Sequence, residues 1–288
     1  MRPSPALMIL TALVCIFHTS EANACELKRT SLRKAAPTAS QGQTIRLTVP
    51  SALRAATFQL RQGQGHYLES RTGVEYSPIP TLTLSAETSW VSLTVGSSHY
   101  SSPANPKLSA EYTALPLPQF NATLGSRLEI PNTSANHRIA ASHLELVPYT
   151  RLQWIPNAYH LTLQLGASVG LEPINNASGE GHHDHHAGHH HGASAHPTQF
   201  VNPHTDREFL FQLRGGRQWL ANTLDSSVFL DGQTVLADSD PGTTFLSAGL
   251  SLSAQWGDHV QISLDAERSI SIQQRFTWRS AIGVTFLL

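Results

Sequence analysis

From Thr244 to the carboxy terminus this chain alternates between apolar and polar residues with a period of two. Leu246, Ala248, Leu250, Leu252 and Ala254 take the even positions of the first run, against Ser247, Gly249, Ser251, Ser253 and Gln255. After a break at Trp256-Gly257-Asp258-His259, Val260, Ile262, Leu264 and Ala266 alternate with Gln261, Ser263, Asp265 and Glu267. A last run sets Phe276, Trp278, Ile282, Val284, Phe286 and Leu288 against Thr277, Arg279, Ala281, Gly283 and Thr285. Period two places one set on each face of a strand. Strands of about ten residues in successive hairpins are the pattern of a transmembrane β-barrel.

The same alternation runs backwards through 159–169, 142–154, 120–130 and 107–112, and more weakly through 223–237, 206–216, 80–96, 66–77 and 53–61. That predicts an all-β, up-and-down antiparallel barrel of about twelve strands. The 80–96 strand changes phase near Trp90-Val91, which predicts a bulge. Pro148 predicts a bulge or local distortion, because proline cannot donate to a ladder. Short connections at 77–80, 115–118, 155–158, 217–222 and 256–259 alternate with longer ones at 97–104, 131–138, 171–205, 238–243 and 270–275. Short turns are expected in the periplasm and long loops outside, with both termini periplasmic. Tyr76, Trp154, Tyr159 and Trp256 stand near short turns and Trp278 near a long loop, where interfacial belts belong. A secreted β-sandwich also alternates. The barrel is favoured by the Leu-rich apolar positions and by an opposite set that is small and polar rather than packed.

Arg2, the apolar Ala6–Phe17 run and Ala22-Asn23-Ala24 read as an export signal, so 1–24 is expected to be removed. The remainder divides into a periplasmic segment, 25–52, and a barrel, 53–288. Charged residues make up 14% and the net charge is −1, without the basic excess of a nucleic-acid partner. Cys15 leaves with the signal; Cys25 is then alone, a plain thiol or a lipidation site. The expected location is the outer membrane. The expected partners are its lipid, the barrel assembly machinery, and a small solute or metal ion.

The run His143-Leu-Glu-Leu-Val-Pro-Tyr149, followed by Trp154 and the 159–169 strand, resembles a family of small Gram-negative outer-membrane barrels. That family carries the label of the phenol-degradation pathway and is regarded as one of transporters. Gly73-Val-Glu-Tyr76, a short turn and Leu82-Thr-Leu84 are also similar to it. The resemblance covers most of the mature chain. It implies a barrel and a transport role, and it brings no catalytic residues. Many outer-membrane proteins end on Phe, whereas Phe286 is here followed by Leu287-Leu288; the in-phase Leu288 is expected to serve as the apolar assembly signal.

The longest predicted external loop, 171–205, is rich in histidine. His182, His183, Asp184, His185, His186, His189, His190, His191 and His196 crowd one stretch, and His204 follows. Neutral imidazole suits Zn²⁺, Cu²⁺ or Ni²⁺. Gly181, Gly188 and Gly192 let the backbone bend around an ion, and Asp184 could ligate or orient a ring. Nothing fixes one geometry, so exchangeable binding is expected and no other cofactor. A polar low-complexity loop is the plainer alternative, and a pH-responsive gate a third.

Glu69, Glu111, Glu129, Glu145, Asp265 and Glu267, with Arg71, Arg127, Arg151, Arg214 and Arg279, take the polar phase and should face the lumen. They could brace the wall as ion pairs or form a charged, selective constriction. The neighbours Ser142 and His143 point to opposite faces and cannot pair simply, so no enzyme is expected. The function expected is passive transport of small solutes, with transition-metal linkage through the histidine loop. The alternative is a non-conducting structural or adhesin-type barrel; a barrel hydrolase ranks below both.

Overall fold

The computed structural model describes residues 46–60, 63–132, 135, 136, 138–140, 143–171, 201, 207–220, 223–236, 241–271 and 275–288. They form strands β1 (Arg46–Leu60), β2 (Gly63–Ile79), β3 (Leu82–Val95), β4 (Ser98–Pro103), β5 (Lys107–Leu117), β6 (Phe120–Glu129), β7 (Leu144–Trp154), β8 (Tyr159–Leu171), β9 (Arg207–Trp219), β10 (Leu224–Val235), β11 (Thr244–Trp256), β12 (Val260–Ser269) and β13 (Trp278–Leu287). Every pairing is antiparallel, between chain neighbours except β3 with β5 and β1 with β13, and the β1–β13 pairing from Thr48↔Leu287 to Thr57↔Trp278 closes the sheet. β4 and β5 pair in turn with the upper and lower halves of β3, so they fill one place and the ring has twelve. Pro103 and Pro106 flank the break, where each lacks an N–H for the ladder. The break stays zipped on both sides, with Ala104 N donating to Ser89 O and Ile130 N to Pro106 O, both at 2.9 Å. Closure gives every strand ladder partners on both sides except β4, which pairs β3 alone. Among the described residues no helix is long and apolar enough to cross a membrane; the strands cross instead.

The outward face is apolar. Leu53, Leu68, Leu84, Leu108, Leu124, Leu161, Leu213, Leu250 and Ile282 are exposed there. Tyr76, Tyr112, Trp154, Tyr159, Trp219 and Trp256 ring the short-turn end. Arg217 lies 4.0 Å over the Trp219 ring and 5.2 Å over Tyr159, a cation among aromatics at the level where a membrane meets water. These faces are those of a membrane-spanning β-barrel.

Several expectations need correction. The first strand starts at Arg46, seven residues before 53, so the end of the 25–52 segment belongs to the barrel. β3 keeps one register against β2 from Gly65↔Val95 to Tyr76↔Leu84 and has no bulge at Trp90-Val91. The phase changes because the lumen does: Val91 and Leu93 point inward into an apolar cluster while Trp90 stays outside. The expected 97–104 loop is instead a tight turn at Gly96-Ser97 followed by β4. At Pro148 the β7–β8 ladder skips from Leu146↔Val169 to Tyr149↔Gly166 in unchanged register, a local interruption without a bulge. Phe276 is not lipid-facing; it is buried in the same inward cluster.

Candidate functional site: the barrel lumen

The inward face follows from parity, and neighbouring strands join it by charge. Glu69 of β2 accepts from Arg54 of β1 at 2.9 Å and from Arg71 at 3.1 Å. Arg71 also reaches Glu87 of β3 at 3.3 Å. Lys107 of β5 meets Glu129 of β6 at 3.4 Å. Glu111 accepts the Tyr149 hydroxyl at 2.6 Å and Arg151 at 2.8 Å, both from β7. These two bonds span β6 because Gly125 stands beneath the Tyr149 ring, where an added Cβ would lie 2.3 Å from a ring carbon. His160 of β8 reaches Asp225 of β10 at 2.9 Å across Gly216 for the same reason. Arg279 of β13 donates from Nε to Glu267 of β12 at 2.9 Å, and Ser247 of β11 donates to the same carboxylate.

The eleven residues expected to face the lumen stand on the inward parity of their strands. Besides those above, Glu145 takes the Ser168 hydroxyl, and the Arg214 guanidinium lies 5.5 Å over the Phe229 ring. Arg127 lines a narrow cleft with Arg71, Glu75, Ser85, Glu87, Lys107 and Ser109. Asp265 stands between Ser251 and Ala281 in register. Sequence reasoning missed Arg54, Asp225 and Asp231, although their parity in the weak 53–61 and 223–237 strands places them inside. It also missed Arg275, which comes from a loop and has no parity to follow.

The two ends of the lumen differ. Toward the short turns the wall is uneven: on the β11–β1 side inward Ala52, Ser251, Ser253, Ser263, Asp265 and Gly283 are small or polar and half-buried, while inward Ser77, Thr83, Thr123, His160, Thr162 and Asp225 on the other strands are buried. Toward the long loops the interior is packed, contrary to the small and polar set expected. Every place in the ring contributes an inward residue that is 5% exposed or less: Phe58, Tyr67, Leu93, Ser102, Glu129, Glu145, Ser168, Glu208, Gln233, Ser247, Glu267 and Arg279. Three loops fill the centre at this level. Ile139, Val201 and Phe276 join Phe58, Tyr67, Val91 and Leu93 in one cluster, and Val201 N donates to Arg138 O at 3.4 Å. Beside Phe276, Arg275 turns the other way. It donates to Glu208 of β9 at 3.1 Å and to Gln233 of β10 at 2.8 Å, and lies 4.2 Å over the Phe245 ring.

The expected metal ligands, His182, His183, Asp184, His185, His186, His189, His190, His191, His196 and His204, lie outside the described residues. So do Cys25 and the export signal. Among the described residues no group of three or more His, Cys, Asp or Glu side chains is placed to hold a metal.

No protein-family profile matches the chain, and no curated protein matches it. Solved structures do match in fold. An outer-membrane channel from Pseudomonas putida F1 has a TM-score of 0.60 at 8% identity, covering 84% of this chain and 95% of the other. A NanC porin matches with a TM-score of 0.51 at 10% identity over 83% and 98%. A KdgM porin matches with a TM-score of 0.50 at 12% identity, again over 83% and 98%. At these identities the likeness is one of fold.

Proposed function

We propose that the chain is an outer-membrane channel for passive movement of small polar solutes. The observation that carries this is a closed barrel, apolar outside, whose interior toward the short turns is polar and, on the β11–β1 side, lined by half-buried small residues. Ser251, Ser253, Ser263 and Asp265 line that side as small or acidic groups rather than as packed apolar side chains. The channel and porins of similar fold agree with it. Eleven carboxylates (Glu69, Glu75, Glu87, Glu111, Glu129, Glu145, Glu208, Asp225, Asp231, Asp265 and Glu267) face inward among the described residues. Eight strong bases (Arg54, Arg71, Lys107, Arg127, Arg151, Arg214, Arg275 and Arg279) face them. The excess is acidic and favours cations over anions. Reversal potentials across a KCl gradient in planar bilayers test it. A cation-preferring conductance is expected; folded protein that never conducts would leave the structural or adhesin-type barrel, which the sealed upper ring favours.

The histidine segment extends this reading. β8 ends at Leu171 and Val201 is held in the inward cluster; the histidine-rich stretch lies between them in sequence. We infer that this stretch gathers exchangeable Zn²⁺, Cu²⁺ or Ni²⁺ at the long-loop mouth. Metal retained by cells carrying the full chain, compared with cells carrying a deletion of 181–196, tests this. Equal retention for all three metals refutes it.

A further inference from the structure

We propose that His66 and His99 hold one divalent transition-metal ion between them, across Thr94, and that this ion pins β4 to the ring. The proposal goes beyond the channel reading and rests neither on it nor on the histidine segment. It starts from a weak point of the barrel. β4 is six residues long and pairs β3 alone. Besides that ladder, Trp90 Nε1 donates to Ser101 Oγ at 2.8 Å and Asn136 N to Ser102 Oγ at 3.0 Å. Nothing in the ladder joins β4 to β2, two places away.

Register brings two imidazoles into one row there. His66 of β2 stands opposite Thr94 of β3, and Thr94 opposite His99 of β4. The neighbouring row, Tyr67, Leu93 and Tyr100, faces the lumen, with Tyr67 and Leu93 buried. Alternation therefore turns the His66 row away from the lumen, and both imidazoles are exposed. Adjacent strands lie about 4.8 Å apart, which separates β2 from β4 by about 10 Å. Two imidazoles leaning toward each other, each ending in a metal bond of about 2.0–2.1 Å, span that distance around one ion. His99 already leans that way, with Nδ1 3.4 Å from Thr94 Oγ1. A bond there engages Nδ1 and leaves Nε2 for the ion, the arrangement in which a ligating histidine is oriented through its other nitrogen. A leucine at 94, like Leu68 and Leu84 elsewhere on this wall, would fill the space that the ion needs.

The row also stands where ions can reach it. His66 lies ten positions beyond Tyr76 of the short-turn aromatic ring. Ten residues at ~3.3 Å, reduced by strand tilt, rise ~25 Å, which is about the height of the apolar band. That puts the pair at the water boundary of the long-loop end. Imidazole nitrogen suits Zn²⁺, Cu²⁺ or Ni²⁺ rather than Mg²⁺ or Ca²⁺. With two protein ligands, water completes the coordination and the ion exchanges.

The test is acylation of imidazoles by diethyl pyrocarbonate in the purified full chain, resolved by residue with mass spectrometry, with and without Zn²⁺. Each histidine reports for itself, so ions held by the histidine segment do not enter the reading. Zn²⁺ at ten times its dissociation constant should slow acylation of both His66 and His99 about tenfold. His99→Ala should return His66 to its metal-free rate, and His66→Ala should do the same for His99. Both side chains are exposed, and heat-modifiable gel mobility confirms that each variant is folded. In the wild type alone, Zn²⁺ should also slow amide exchange along Ser98–Pro103. No protection of the pair in the wild type, or protection of one histidine that survives loss of the other, would overturn the site. Paired protection with unchanged exchange along β4 would overturn the pinning.

Discussion

The most direct test of which face meets lipid is an arginine placed at two consecutive positions of β11. Leu250 is the central residue of Thr244–Trp256, with six residues on either side. Six residues at ~3.3 Å of rise span ~20 Å, and strand tilt reduces this to ~15 Å along the membrane normal. Leu250 therefore sits at the bilayer midplane. Its side chain is outward and 63% exposed, beside Val228 and Ala266. An arginine there should cost about 2–4 kcal/mol. Ser251 faces the lumen directly opposite Asp265 on β12, so an arginine there gains water and a carboxylate. Its cost should lie within about 0.5 kcal/mol of zero, as for an exposed site with a partner. Urea unfolding in thin-bilayer vesicles, followed by the fluorescence of the five tryptophans, measures both. A Leu250→Arg variant no less stable than Ser251→Arg would refute the assignment of faces and with it the membrane barrel.

Three further outcomes are expected. Tyr149→Phe removes a buried bond to the Glu111 carboxylate while Arg151 remains, and should cost about 1.5–3 kcal/mol in the same assay; no loss would mean that the hydroxyl is not seated on Glu111. Leu220, 75% exposed, turns at a φ of 51°, so Leu220→Asn should stabilise by up to about 1 kcal/mol; a destabilised variant would show that the side chain, not the turn, matters. Deleting 181–196 should leave the unfolding midpoint unchanged and remove most of the binding of Zn²⁺ by the purified protein, which in the full chain should fade below about pH 6 as imidazoles protonate. Unchanged binding after deletion would place the metal elsewhere.

The strands were legible because a membrane barrel imposes one rule on every strand: apolar outward, polar inward. β8 obeys it throughout, β11 and β12 obey it over 246–256 and 260–267, and the lumen charges Glu69, Glu111, Glu129 and Glu267 could be taken from parity alone. The rule failed where the lumen stops being aqueous. Val91 and Leu93 broke the pattern of β3, and the break looked like a change of register when it was a change of environment. Phe276 was assigned to lipid because it shares parity with Trp278, but it precedes the strand and its direction is set by the cluster. Arg275 could not be found at all. A loop residue that reaches Glu208, 67 positions earlier, leaves no periodic trace.

The seam between β1 and β13 has a consequence for the order in which the interior is filled during assembly. Arg275 finds Glu208 and Gln233 at separations of 67 and 42 residues, within the last five strands of the chain. Those contacts can form while the sheet is still an open, curved ribbon. Phe276 must wait for Phe58 and Tyr67, which lie more than two hundred positions away and come within reach only once the first strand docks on the last. Loop closure over such a distance is slow and is rewarded late. The carboxy-terminal half thus acquires its buried charges first, and the apolar filling condenses only as the ring shuts. A chain stalled before closure would present Phe276, Val91 and Leu93 to water together, a sticky surface by which unfinished barrels can be told from finished ones.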